Sequence, residues 1–252
     1  MAYYRPQKHL REVPITDPKS AAVLFIDTQN FNCHRDGAIY KTDDGEARAE
    51  DPGVAYFFER LESVCVPAWV ALRRACREAG VEVMYTVIQS LTRDGRDRSL
   101  DYVISGFHVP PGCWDAQVIQ PLAPGPDEVV LPKTSSSVFN STNIDFVLRS
   151  MGVRHLLLAG CVTDQCVAHA AMDACDLGYL VTLVPEATAT YSEGRQRAAL
   201  SAVSGYCRQR SVAELEAELA AAAAAAAGGQ AAAAAAAPAG TGEKAAAEAA
   251  GR

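Results

Sequence analysis

A carboxylate, an amine and a thiol each stand at or just past the end of a short apolar run in this chain. Asp27 follows AAVLFI at 21–26, Lys133 follows EVVL at 128–131, and Cys166 follows HLLLA at 155–159, inside LLLAGCVTDQCVAHAAMDAC. Together these side chains are the parts of covalent acyl transfer. A thiolate attacks a carbonyl, a carboxylate takes the thiol proton and returns it to the leaving amine, and an ammonium favours the charged forms of both. The spacing predicts that Cys166 lies in the first turn of a helix beginning near Thr163 or Asp164. Free backbone N–H groups there stabilise an anion, so the expectation is a lowered thiol pKa, reinforced by Lys133. The turn GCVTDQ before the thiol would aim backbone N–H groups at the attacked carbonyl as an oxyanion hole.

For these groups to meet, the elements carrying them must share one edge. Five apolar runs, at 21–26, 81–88, 128–131, 155–159 and 180–184, are nearly continuous in Val, Leu and Ile. That pattern suits strands buried on both faces of a parallel sheet. Helical spacing covers 54–79, 142–151, 164–177 and 193–207, and the first three end before Gly80, Gly152 and Gly178, plausible C′ glycines. Strands alternating with helices predict an α/β fold, a three-layer α/β/α sandwich around a central, mostly parallel, Rossmann-like sheet. Ligands in such sheets bind outside the carboxyl ends of the strands, which is where Asp27, Lys133 and Cys166 fall.

The organisation expected is an N-terminal extension at 1–20, one folded domain at 21–213, and an alanine-rich tail at 214–252 with no stripe by which to dock. The formal net charge of −7 and the absence of a basic patch argue against nucleic acid as a partner. Eight cysteines without a CxxC pair read as reduced thiols in a cytoplasmic or organellar protein. The stretch MAYYRPQKHLREVP lacks the apolar core of a secretory signal, and no apolar run reaches the ~18 residues of a membrane span.

The three segments resemble those of the isochorismatase-like cysteine hydrolases. The matching features are a strand ending in D-x-Q (Asp27-Thr28-Gln29), a lysine after a strand (Lys133), and G-x-x-T-x-x-C-V (Gly160 to Val167) before a helix containing Asp173-Ala174. The resemblance spans roughly residues 20 to 205. It implies an Asp27–Lys133–Cys166 triad and a cis peptide at Cys161–Val162 that turns the N–H groups of Val162 and Cys166 toward the oxyanion. It also implies a homo-oligomer. Relatives that cleave a vinyl ether lack the nucleophilic cysteine, so Cys166 favours amide chemistry. Nicotinamidases carry an Asp-x-His metal motif after the second strand. Here that region reads TVIQSLTRDGRDRSLDY without histidine, so the expectation is no metal and no cofactor. The stretch from Leu131 to Gly160 is similar to ureidoacrylate and biuret-type amidohydrolases, which implies a small amide or N-carbamoyl substrate. The alternatives are a nicotinamidase-like amidase and a non-catalytic binding relative.

Other residues compete for roles. Asn30, Phe31, Gln89, Trp114 and Phe139 are candidates for the substrate pocket, and Arg93, Arg96 and Arg98 for meeting a substrate carboxylate. His169, three residues past Cys166, could form a Cys–His pair. Cys33, His34 and Asp36 are half of a metal site without a second ligand cluster.

Overall fold

The structure, a computed structural model, describes residues 7–42, 45 and 51–236, with side chains through residue 228. Its strands are β1 (Ala21–Ile26), β2 (Glu82–Ile88), β3 (Val129–Lys133), β4 (His155–Cys161), β5 (Leu180–Ala189) and β6 (Arg208–Gln209). The helices are α1 (Asn30–Cys33), α2 (Pro52–Arg60), α3 (Val66–Ala79), α4 (Leu100–Ile104), α5 (Val138–Ser141), α6 (Ile144–Ser150), α7 (Ala168–Asp176), α8 (Glu193–Val203) and α9 (Val212–Ala236). A π-helical segment, Leu61–Cys65, joins α2 to α3, and another, Thr163–Val167, leads into α7.

Among the described residues the strands form one sheet in the order β3-β2-β1-β4-β5-β6, every pair parallel. The fold expected from the sequence is therefore observed. All six residues of β1 are buried, because alternate side chains enter two different cores. Ala21, Val23 and Phe25 face α2, α3 and α9, where Trp69, Leu72 and Cys76 are fully buried. Ala22, Leu24 and Ile26 face the α6 and α7 side, with Leu148, Val167, Ala170 and Ala174. This two-sided burial explains why β1, β2 and β4 read as apolar runs instead of alternating patterns.

Several bounds differ from the expected ones. β3 extends to Lys133, so the lysine is the last residue of the strand, not a residue of the following loop. β5 runs ten residues, past Pro185 and Glu186, with a register shift against β4 between Leu158 and Gly160. The short α4 and α5 carry too few periodic positions to stand out in the sequence.

The largest difference is at the carboxyl side. The boundary expected at 214 falls inside α9. Val212, Leu215, Leu219 and Ala222 are buried against the core on α3's side of the sheet, a spacing that is a helical stripe after all. Its Ala-rich surroundings disguised it, since a stripe of two leucines within alanine has little contrast. Glu218 reinforces the docking. It accepts two hydrogen bonds from Arg208 (2.6 and 3.0 Å) and one from the backbone N–H of Ile15 (2.7 Å). Thus part of the supposed 1–20 extension is pinned to the supposed tail, with Ile15 buried. Residues 237–252 of that tail lie outside the described residues. Among the described residues no helix is long and apolar enough to cross a membrane.

Candidate active site

Asp27, Lys133 and Cys166 meet at the carboxyl edge of three neighbouring strands. The sheet order places β1 between β2 and β4, so the residue after β1 lies centrally, while β3 and β4 deliver the lysine and the thiol from either side. Lys133 Nζ lies 2.9 Å from Asp27 Oδ2 and 3.3 Å from Cys166 Sγ. The exposures are 0 % for Lys133, 1 % for Asp27 and 5 % for Cys166, so the cluster is sealed from bulk water in the single chain.

Each position is built locally. Asp27 has φ 54°, a left-handed conformation that Asp tolerates better than most residues and that bends the chain off β1. Gln29 then ties the turn to β2. Its amide oxygen accepts from the N–H of Ile88, and its Nε2 donates to the carbonyls of Ile88 and Asp115, both at 2.9 Å. Thr86 Oγ1 donates to Asp27 Oδ1 at 3.1 Å. On the other side Gly160, with φ 119°, passes so close to β1 that a Cβ there would sit 2.0 Å from the carbonyl oxygen of Ile26. Only glycine lets β4 end beside Asp27. The peptide Cys161–Val162 is cis, as the resemblance implied.

The turn carrying the thiol is fixed from outside. Thr163 Oγ1 donates to Gln196 Oε1 (2.7 Å), whose Nε2 donates to Thr188 Oγ1 (2.9 Å) and the Thr188 carbonyl (3.2 Å). Asp164 accepts from Thr190 Oγ1 at 2.6 Å and from Arg195 Nε at 2.7 Å. Asp173, in the motif's helix, accepts from Ser137 Oγ at 2.7 Å, holding α5 to α7. These positions therefore brace the turn that carries Cys166 and do not touch Asp27, Lys133 or Cys166.

Electrostatics differ from the expectation in one respect. Burial pushes the Cys166 thiol up to about 12, although Lys133 opposes it. The desolvation of a thiolate outweighs the ammonium, and the carboxylate of Asp27 adds to the rise. Burial raises Asp27 too, against the pull of Lys133. For Lys133 burial disfavours the charge, but Asp27, Cys166 and Tyr102 hold its pKa well above the ordinary lysine value. The three N–H groups of Lys133 point to Tyr102 OH (2.5 Å), the Ser135 carbonyl (3.0 Å) and Cys166 Sγ (3.3 Å). Asp27 Oδ2 feels the charge at 2.9 Å but receives no directed hydrogen bond, so a lone pair stays open beside the thiol.

The remaining candidates scatter. Asn30 is buried and donates to the Trp114 carbonyl at 3.0 Å, so its amide braces the loop. Phe31 packs edge-on against Phe107. Gln89 is half-buried at the end of β2, its N–H bonded to the Lys133 carbonyl at 3.2 Å. Trp114 is exposed and meets the His34 ring, and Phe139 packs toward Tyr179. Arg98 is tied to the carbonyls of Gly95 and Phe107, and Arg96 to Asp94. Arg93 is exposed and engages His108 through its backbone carbonyl. His169 is exposed and bonds back to the Gln165 carbonyl, away from the cluster. Cys33 turns inward to within 3.4 Å of Cys161 Sγ, while His34 and Asp36 are exposed. Among the described residues no three His, Cys, Asp or Glu side chains cluster as metal ligands. Sequence reasoning missed Tyr102, Thr86 and Ser135. A tyrosine in a loop-like stretch and a threonine within an apolar strand carry no local signal of a site.

The isochorismatase domain profile matches residues 21–214. The chain belongs to the isochorismatase family. Two curated relatives are named ureidoacrylate amidohydrolase RutB. The Agrobacterium fabrum protein is 32 % identical, covering 71 % of this chain and 80 % of its own length. The Rhizobium rhizogenes protein is 28 % identical, covering 74 % and 80 %. Among solved structures, a cysteine hydrolase from Pseudomonas syringae pv. phaseolicola superposes with a TM-score of 0.66 at 24 % identity, over 83 % of this chain and 96 % of that one. This last likeness speaks to the isochorismatase fold alone.

Proposed function

We propose that this hydrolase of non-peptide carbon–nitrogen bonds cleaves a small amide or N-carbamoyl compound through a thioester on Cys166, releasing ammonia. The observation carrying the reading is the buried convergence of Asp27, Lys133 and Cys166 around one ammonium. The names of the two amidohydrolase relatives support the substrate class. On this route the Cys166 S–H passes its proton to the open lone pair of Asp27 Oδ2 as sulfur attacks the carbonyl. Backbone N–H groups of Val162 and Cys166 hold the oxyanion. Asp27 returns the proton to the departing nitrogen, and water then hydrolyses the thioester.

The test screens ureidoacrylate, other ureido acids and primary amides for ammonia release, with quenched-enzyme mass spectrometry for an acyl adduct on Cys166. Cys166→Ala should abolish turnover, by orders of magnitude, and the adduct with it. Ammonia release by Cys166→Ala at more than about a tenth of the wild-type rate would refute the nucleophile.

A further inference from the structure

Among the described residues, Tyr102 is the one tyrosine whose hydroxyl touches the cluster. It reaches in from α4, is 2 % exposed, and accepts from Lys133 Nζ at 2.5 Å. Its own proton goes to the Ser135 carbonyl at 2.9 Å, the same carbonyl that Lys133 contacts at 3.0 Å. Because its hydrogen is committed there, a phenolic lone pair faces the ammonium. The titratable groups facing Lys133 are thus Asp27 from the end of β1, Cys166 from the turn before α7, and Tyr102 from α4.

We propose that Tyr102 is a positioning residue, whose hydroxyl holds Lys133 against the Cys166 sulfur and keeps it from hydrogen-bonding Asp27. The inference rests on the triad reading above. A lysine has three N–H groups, and here four acceptors surround it. Tyr102 and the Ser135 carbonyl take two and Cys166 the third, which leaves the Asp27 lone pair for the thiol proton. Without the hydroxyl one N–H loses its acceptor in a dry site, where an unpaired donor is costly. The nearest replacement is Asp27 Oδ2, already 2.9 Å away. Turning to it would draw the ammonium off sulfur and occupy the base.

The test compares Tyr102→Phe with the wild type in two measurements. Phenylalanine keeps the ring packing against Phe107, whose centroid is 5.4 Å away, so the fold should persist. The first measurement is the rate of iodoacetamide labelling of Cys166, read by peptide mass spectrometry at a fixed pH between about 8 and 9, below the thiol pKa. A thiolate deprived of the lysine should label roughly tenfold more slowly. The second is turnover with the fastest compound of the ammonia-release screen. It should fall about 10- to 100-fold with KM changed by less than roughly threefold.

A merely structural role predicts the opposite sign in the first measurement, because loosened packing would admit reagent and speed labelling. Phe107→Leu supplies that comparison, removing the ring contact while leaving the hydroxyl, and should label at the wild-type rate or faster. Labelling of Tyr102→Phe at or above the wild-type rate would overturn the proposal. Retained activity in Cys166→Ala would instead overturn the triad reading, while the labelling comparison still judges the Tyr102–Lys133 contact on its own.

Discussion

Replacing Gly160 by alanine should damage the site from a position that never touches it. The added Cβ would meet three backbone atoms of Ile26: the oxygen at 2.0 Å, the nitrogen at 2.6 Å and the carbonyl carbon at 2.8 Å. Backbone cannot rotate aside as a side chain can. To restore ordinary contact at 3.4 Å, β4 must move about 1.4 Å from β1, or its end must peel away. The residue also holds φ 119°, a conformation that costs an L-residue about 1–3 kcal/mol, and overpacking adds about 1–3 kcal/mol. The combined loss of roughly 2–6 kcal/mol corresponds to a fall in melting temperature of roughly 5–20 °C for a domain of this size. The displaced atoms belong to the residues that immediately precede Asp27 and Cys161. A misplacement of about 1 Å at a reacting group can cost on the order of a hundredfold in rate. Scanning calorimetry and ammonia release on the purified variant measure the two effects. A melting temperature within about 2 °C of wild type and turnover within about threefold would refute the close approach as the reason for glycine.

Leu219→Ala tests the docking of α9. The side chain is fully buried, so its loss should cost about 2–5 kcal/mol and lower the melting temperature with little effect on turnover. An unchanged melting temperature would mean the helix is not part of the folded unit. A second prediction concerns acid. Burial, and then the charge of Arg208, lower the pKa of His155 from its ordinary 6.5, so the folded state binds its proton less readily than the unfolded chain. The stability so gained is present above 6.5 and is lost as the pH falls from there toward the depressed folded value. His155→Leu should flatten that slope in urea unfolding series, since His155 Nδ1 has no hydrogen-bond partner to lose. A slope equal to the wild type's would assign the acid sensitivity elsewhere.

What the sequence made legible depended on contrast. Strands buried on both faces are continuous apolar runs, and β1 and β4 stand out as such. Asp27, Lys133 and Cys166 are visible because each is a reactive group where an apolar run ends. The α9 stripe was hidden because alanine supplies both its buried and its exposed positions. Tyr102 was hidden for a different reason. Its partners are 31 and 33 positions away in Lys133 and Ser135, and only the fold brings them within reach. Asn30 and Phe31 are pocket candidates because they follow Asp27 closely in sequence. Proximity does not fix direction, and Asn30 and Phe31 turn into the protein instead.

Burial moves the thiol's pKa up, against the lowered value expected from the sequence, and that direction bears on how the proposed chemistry could run. Charge counting at a helix terminus predicts a thiolate, but the group is dry, and desolvation dominates in a dry site. A resting thiol is still compatible with attack, because proton transfer to Asp27 creates no net charge. Before transfer the ammonium faces a carboxylate at 2.9 Å; after it, the same ammonium faces a thiolate at 3.3 Å. The negative charge changes atoms without leaving the cation, so the penalty for burying a lone ion is not incurred at either stage. Burial raises both acids, and the cost of transfer is set by the gap between them, not by the height of either. On the proposed route Lys133 is the fixed charge that accompanies the negative charge in both states. A neutral isostere such as Lys133→Met should leave neither state supported, and should be as inactive as Cys166→Ala.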